Sequence, residues 1–205
     1  MVYLNDHIED IDVTDALSRV GPQRAKYALR YRRELDQRLS LAAFLLLQQA
    51  LRTEYGLQEI PEFTFGTHGK PMLKEHPEIH FNLSHCSQAA LCVVSSQPVG
   101  CDVESVPDEL DMDVCRHCFN EAEINHILHS DHPTLAFTTL WTKKEAFLKL
   151  TGEGLTNNLP RLLDTAETKG VTFQTTAIHS KGYVYTVCRT LNPWKIDSDL
   201  LRKQH

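Results

Sequence analysis

From Gln88 to Gln97 the chain carries no charge, and this run leads into Pro98-Val99-Gly100-Cys101-Asp102-Val103-Glu104. Residues 89–96 (AALCVVSS) are apolar and β-rich, which reads as a buried strand, and residues 98–106 read as another. A chain with such a strand has to build a sheet and cover it. The second strand then brings two acids out of an apolar interior. Residues i and i+2 of a strand face the same side, about 6.5–7 Å apart along the chain. Two carboxylates set there repel each other unless a cation lies between them. Mg²⁺, which takes hard oxygen ligands from one or two carboxylates plus substrate phosphates, suits the pair. Two acids on a solvated strand edge would read the same way.

The rest of the chain supplies the covering elements. Leu35, Leu39, Ala42, Ala43, Leu46 and Ala50 recur at helical spacing from Glu34 to Tyr55, and Gly56 ends the pattern. FTFGTHGKPML (63–73) reads as two short extended pieces about a Gly-rich turn, and IHFNLSH (79–85) alternates as a strand does. EAEINHILHS is a short helix. A longer one follows, with Leu135, Phe137, Leu140, Trp141, Phe147 and Leu148 on a packed face and Gly152 as its breaker. VTFQTTAIH (171–179) and YVYTVCRT (183–190), joined by SKG, form a hairpin, and the tail from Asn192 is peripheral. Each half is therefore a long helix with a few antiparallel strands. No βαβ alternation appears, so the class is α+β, divided into 1–104 and 105–205. The halves share element order without a residue-level repeat.

Charge is unevenly placed. Residues 24–38 hold six basic side chains against two acidic ones, whereas 102–123 hold eight acids against Arg116. This pairing suits an anionic ligand plus a metal, or simply two solvated faces. The net charge of −6 argues against a general nucleic-acid binder. No apolar run approaches the ~20 residues a membrane span needs. The acidic start has no signal-peptide pattern, so a cytoplasmic setting with reduced cysteines is expected.

Several side chains are candidates for chemistry. Glu145 and Lys149 are i,i+4 neighbours, which describes either a surface pair or a third carboxylate beside a phosphate-neutralising lysine. Ser84, His85 and the turn lysine Lys70 can donate to phosphate oxygens or stay solvated. No G-x-S-x-G elbow surrounds Ser84, which counts against a hydrolase. CRHC (115–118) with His126, His129 and His132 suggests zinc, but the seven-residue gap to the first histidine is short, and Cys115 and Cys118 fit a helix face turned to a core. There is no P-loop and no dinucleotide fingerprint.

Taken in order, GKP (69–71), FNLSH (81–85), PVGCDVE (98–104), FNEAE (119–123) and WTKKEAFLKLTGEGL (141–155) resemble the 4′-phosphopantetheinyl transferases. The likeness is to the two-lobed type that activates surfactin synthetase, and it extends upstream over residues 22–46. It implies two pseudo-symmetric lobes, each a long helix packed on a small antiparallel sheet. It also implies transfer of phosphopantetheine from coenzyme A to a serine of an apo acyl or peptidyl carrier protein, with Mg²⁺ required. The family's metal ligands fall on Asp102, Glu104 and Glu145, and its catalytic pair on Glu145 and Lys149. Its coenzyme A contacts fall on Arg24, Ser40, Lys70, Ser84, His85, Asp102 and Lys149. At a position where some members carry a basic residue, this chain has Tyr27, with Lys26 beside it. The base that activates the serine is either Glu145 or a water on the metal. Segment 105–124 is where the family meets its partner. Its acidity here makes that contact apolar, through Val106, Leu110, Met112 and Phe119. A monomer is expected, with no nucleic-acid or membrane partner. The alternatives are a non-catalytic coenzyme A or nucleotide binder of the same fold, and a small zinc protein.

Overall fold

A computed structural model describes residues 1–66, 68–154 and 158–191. The N-terminal part runs β1 (Val2–Asn5), α1 (Val13–Arg19), α2 (Pro22–Ala28), α3 (Glu34–Tyr55), β2 (Phe63–Phe65), β3 (Pro71–Leu73), β4 (His80–His85), β5 (Ala90–Ser95) and β6 (Val99–Ser105). It continues with α4 (Met112–Cys118), α5 (Glu121–Leu128), α6 (Pro133–Thr151), α7 (Leu162–Thr168), β7 (Val171–Ile178) and β8 (Tyr183–Thr190). The helices and strands expected from periodicity are present. The tail from Asn192 lies outside the described residues.

The fold is a mixed α and β architecture of small antiparallel sheets. One sheet has the order β1-β5-β4, a second is the β2-β3 pair, and a third has the order β6-β8-β7. Local chemistry sets the helix ends. Gly56 and Gly152 take left-handed φ of 71° and 69° to close α3 and α6. Asn120 and Glu123 form a reciprocal capping box at the start of α5.

The alternation of β5 explains its lack of charge. Ala90, Cys92 and Val94 pack against Leu39, Leu46 and Leu47 of α3. Leu91 and Val93 face the other way, onto Val99, Cys101 and Val103 of β6 and onto Tyr183 and Val187 of β8. Both faces are therefore dry. The opposite face of β6, bearing Gly100, Asp102 and Glu104, is turned toward α6. A division after Glu104 falls inside β6, which is hydrogen-bonded along its length to β8 (Asp102 opposite Thr186, Glu104 opposite Val184).

Gly100 sets how closely α6 approaches. A Cβ there would land on the backbone of Ala146 and Leu150, neither of which is a flexible side-chain end. Gly100→Ala is expected to lose about 2–3 kcal/mol in chemical denaturation, the scale of an overpacked core. Wild-type stability in that variant would refute the close β6–α6 contact.

Candidate active site

Two elements bring the candidate residues together. β6 places Asp102 and Glu104 on one face by its two-residue period. α6 places Glu145 and Lys149 on one stripe by its i,i+4 spacing. The contact at their centre is short. Lys149 Nζ donates to Asp102 Oδ1 at 2.6 Å and to Ser84 Oγ at 2.8 Å, and Ser84 Oγ donates to the same Asp102 oxygen at 2.8 Å. Asp102 is 2% exposed. Its second oxygen, Oδ2, is buried with no hydrogen-bond partner.

The remaining carboxylates feel this crowding. Burial raises the Glu104 carboxyl to about 7; the charge of Asp102 adds to the rise and Glu145 adds less, while Lys149 and a hydrogen bond from Trp141 oppose it. Burial and Asp102 likewise raise Glu145 above its ordinary value, again against Lys149. Burial alone would lower the Lys149 ammonium, but the surrounding anions, Asp102 foremost, hold it above the usual lysine value. Three acids thus share one nearby lysine.

This donor set fits a hard divalent cation. The ligands are oxygens, one buried carboxylate oxygen is unpartnered, and Lys149 compensates the three acids only in part. As they stand the three carboxylates do not form a closed cage, and among the described residues no three His, Cys, Asp or Glu side chains are grouped as metal ligands. Cys115 and Cys118 are buried in the apolar core with Phe147 and Leu150.

Cavities open on both sides of Lys149. One, of about 270 Å³, is lined by Arg24, Tyr27, Tyr31, Ser40 and His85. Arg24 Nη2 donates to both the carbonyl and the hydroxyl of Ser40, at 2.5 and 2.7 Å. His85 is pushed below its ordinary value by burial and by the cations Lys149 and Arg24. The other cavity, of about 360 Å³, is lined by Lys70, Asn82, Glu145, Leu148 and Gly152. Lys70 Nζ donates to the Leu150 carbonyl at the end of α6 at 2.9 Å, and burial lowers its pKa to about 8.

The structure therefore brings Ser84, Asp102 and Lys149 into direct contact, sets Glu104 and Glu145 beside them, and puts Arg24, Ser40, His85 and Lys70 on the flanking cavities. The apolar residues expected at a partner surface divide. Val106, Leu110 and Met112 are half-buried. Phe119 is 2% exposed and packs edge-on against Phe137 at 5.4 Å. The exposed apolar side chain of this stretch is Val114.

Three contributors are additional to those read from the sequence. Asn82 Oδ1 accepts from the Cys101 amide at 2.8 Å, and Trp141 hydrogen-bonds Glu104. Lys144 is fully buried and donates to Glu123, Cys118 O and Leu159 O. The alternation of FNLSH, which puts Asn82 and Ser84 on one face, was the available signal for Asn82.

The pH dependence of Glu104 has a definite sign. Its folded pKa lies above its ordinary 4.5, so the folded protein holds that proton more tightly. Stability is lost as pH rises from that ordinary value through about 7. Glu104→Gln should therefore raise Tm at pH 8 without added metal and leave it close to wild type near pH 4.5, by calorimetry. Equal shifts at both pH values would show that the carboxylate bears no such strain.

Comparisons with known proteins point to one family. A profile described as the 4′-phosphopantetheinyl transferase superfamily matches residues 98–196, which include β6 and α6. The 4′-phosphopantetheinyl transferase Sfp of Bacillus subtilis (strain 168) is 26% identical over 157 residues, 75% of this chain and 70% of that protein. The 4′-phosphopantetheinyl transferase psf-1 of Bacillus pumilus is 32% identical over 144 residues, 68% of this chain and 61% of that one. A yeast relative, the L-aminoadipate-semialdehyde dehydrogenase-phosphopantetheinyl transferase of Saccharomyces cerevisiae, is 28% identical over 75% of this chain and 61% of its own length. The chain belongs to the 4′-phosphopantetheinyl transferase superfamily, as a member of Sfp type.

Proposed function

We propose that the chain transfers phosphopantetheine from coenzyme A to a serine hydroxyl of an apo acyl or peptidyl carrier protein, releasing adenosine 3′,5′-bisphosphate. The observation that carries this reading is the Ser84–Asp102–Lys149 contact, set between two cavities and flanked by Glu104 and Glu145. A two-ended donor spans such a site with its pyrophosphate at Lys149.

Each residue then has a task. Lys149, held charged by Asp102, donates to the pyrophosphate and can protonate the departing phosphate. Ser84 and His85 add neutral hydrogen-bonding groups, and Arg24, fixed to Ser40, anchors the nucleotide end. Glu145, with its carboxyl raised above its ordinary value by burial and by Asp102, is this chain's own base for the serine. Asp102, Glu104 and Glu145 would hold Mg²⁺, which supplies charge screening and a template for the pyrophosphate when bound. Most of the rate comes from positioning.

The 1–104 and 105–205 halves act in this reading as two lobes with β6 at their junction. The carrier docks through Val106, Leu110 and Met112, with Phe119 supporting them from the core. Among the described residues no helix is long and apolar enough to cross a membrane. A monomer working in the cytoplasm suits a complete cleft in one chain.

Incubation with coenzyme A, Mg²⁺ and an apo carrier should give the phosphopantetheine mass increment on the carrier. No adduct on any of several acyl and peptidyl carriers would overturn the proposal. Glu145→Gln should cut the rate by about 10²–10⁴-fold, the scale of a lost acid–base group, while keeping the wild-type circular dichroism spectrum. Full activity in that variant would remove Glu145 from both its roles.

A further inference from the structure

The donor of a phosphopantetheine group has two unlike ends. One is a flexible amide chain, and the other is a purine nucleotide that in coenzyme A also carries a 3′-phosphate. The cavity lined by Arg24, Tyr27, Tyr31 and His85 has the aromatic rings and the cation that suit the nucleotide. The question is how much positive charge it offers to that extra phosphate.

It offers little. Among the described residues lining this cavity the lysines and arginines are Lys149 and Arg24, and Lys149 is already committed to Asp102 at 2.6 Å. Arg24 is restrained on several sides. Its Nη2 is spent on both oxygens of Ser40, and its guanidinium lies 4.7 Å from the Tyr27 ring centroid and 5.1 Å from that of Phe44. Its Nε is buried without a hydrogen-bond partner. Burial and the cations Lys149 and Arg24 disfavour a positive charge on His85. The next residue on this face of α2 is Tyr27, three positions on and 45% exposed at the rim. It presents a phenol at a place where a lysine would add a further fixed charge. Arg30 stands 5.9 Å from the same ring but is solvent-exposed, so its attraction is weak and salt-screened.

We infer that Tyr27 frees this chain from dependence on the 3′-phosphate, so that 3′-dephospho-coenzyme A is a phosphopantetheine donor comparable with coenzyme A. This rests on the transferase reading above. The carrier serine oxygen bonds to the phosphorus that bears pantetheine, and the bond from that phosphorus to the adenylate oxygen breaks. Adenosine 5′-monophosphate leaves with the electron pair, and the serine proton is released. With coenzyme A the leaving group is adenosine 3′,5′-bisphosphate; the bonds are otherwise the same.

The test compares the two donors at 0.15 M salt with one apo carrier, in the wild-type chain and in Tyr27→Lys. In the wild-type chain kcat/KM for the two donors should agree within about fivefold, less than the tenfold or more that a full charge-assisted hydrogen bond provides. Tyr27→Lys should shift the ratio toward coenzyme A by about tenfold or more, mainly through KM. A wild-type preference for coenzyme A above about fivefold, or a ratio unmoved by Tyr27→Lys in a folded protein, would overturn the inference and leave the transferase reading standing. Transfer from neither donor would overturn the transferase reading itself.

Discussion

The outer edge of β6 is closed by side chains and not by another strand, and the site depends on that. On the side away from β8, the amides of Cys101 and Val103 donate to Asn82 Oδ1 and Ser84 Oγ of β4, at 2.8 and 3.3 Å. A buried backbone N–H without a partner costs roughly 1–3 kcal/mol, so these two bonds fix where the sheets meet. They also fix where Ser84 stands, and Ser84 is the group that shares Asp102 Oδ1 with Lys149. The fold joins its two larger sheets at the same atoms that form the candidate site. Removing one partner of such a buried charge pair costs about 3–5 kcal/mol, so structure and chemistry cannot be varied independently here.

The two lysines flanking Glu145 are used in opposite ways. Lys149 stands at the cavities and is 30% exposed, beside an acid whose other oxygen is unpartnered. Lys144 has every proton of its ammonium assigned, to Glu123 at 2.8 Å, Cys118 O at 3.0 Å and Leu159 O at 2.8 Å, with the Phe119 ring below at 4.9 Å. It ties α6 to the start of α5 and to the turn before α7. The rotation of α6 that aims Glu145 and Lys149 at β6 is therefore held from its far side by a charge that never meets solvent.

Much of this was legible in the sequence because it is local. The period of α3, the alternation of β4, the uncharged β5 and the two-residue spacing of Asp102 and Glu104 each follow from one stretch of chain. The unread parts come from contacts between distant stretches. Nothing in KKEAFLK says which lysine is buried, because that depends on Glu123, Cys118 and Leu159 arriving from three other segments. Phe119 reads as a surface anchor in an acidic stretch, yet α4 and α6 enclose it. Asn82 looks like an ordinary polar residue of an alternating strand until the edge of β6 is placed against it.

The same geography explains why the acids sit where they destabilise the chain. Glu104 and Glu145 are both raised by burial and by Asp102, so in the absence of a cation the site carries repulsion that Lys149 relieves only in part. A fold selected for stability alone would replace one of them with an amide. Keeping all three around a single lysine is what the proposed Mg²⁺ would account for. The unpartnered Asp102 oxygen marks one place where a ligand bond is still available. The close approach that Gly100 allows between β6 and α6 then fits the proposed function, in which a carboxylate from a helix and two from a strand would hold one cation.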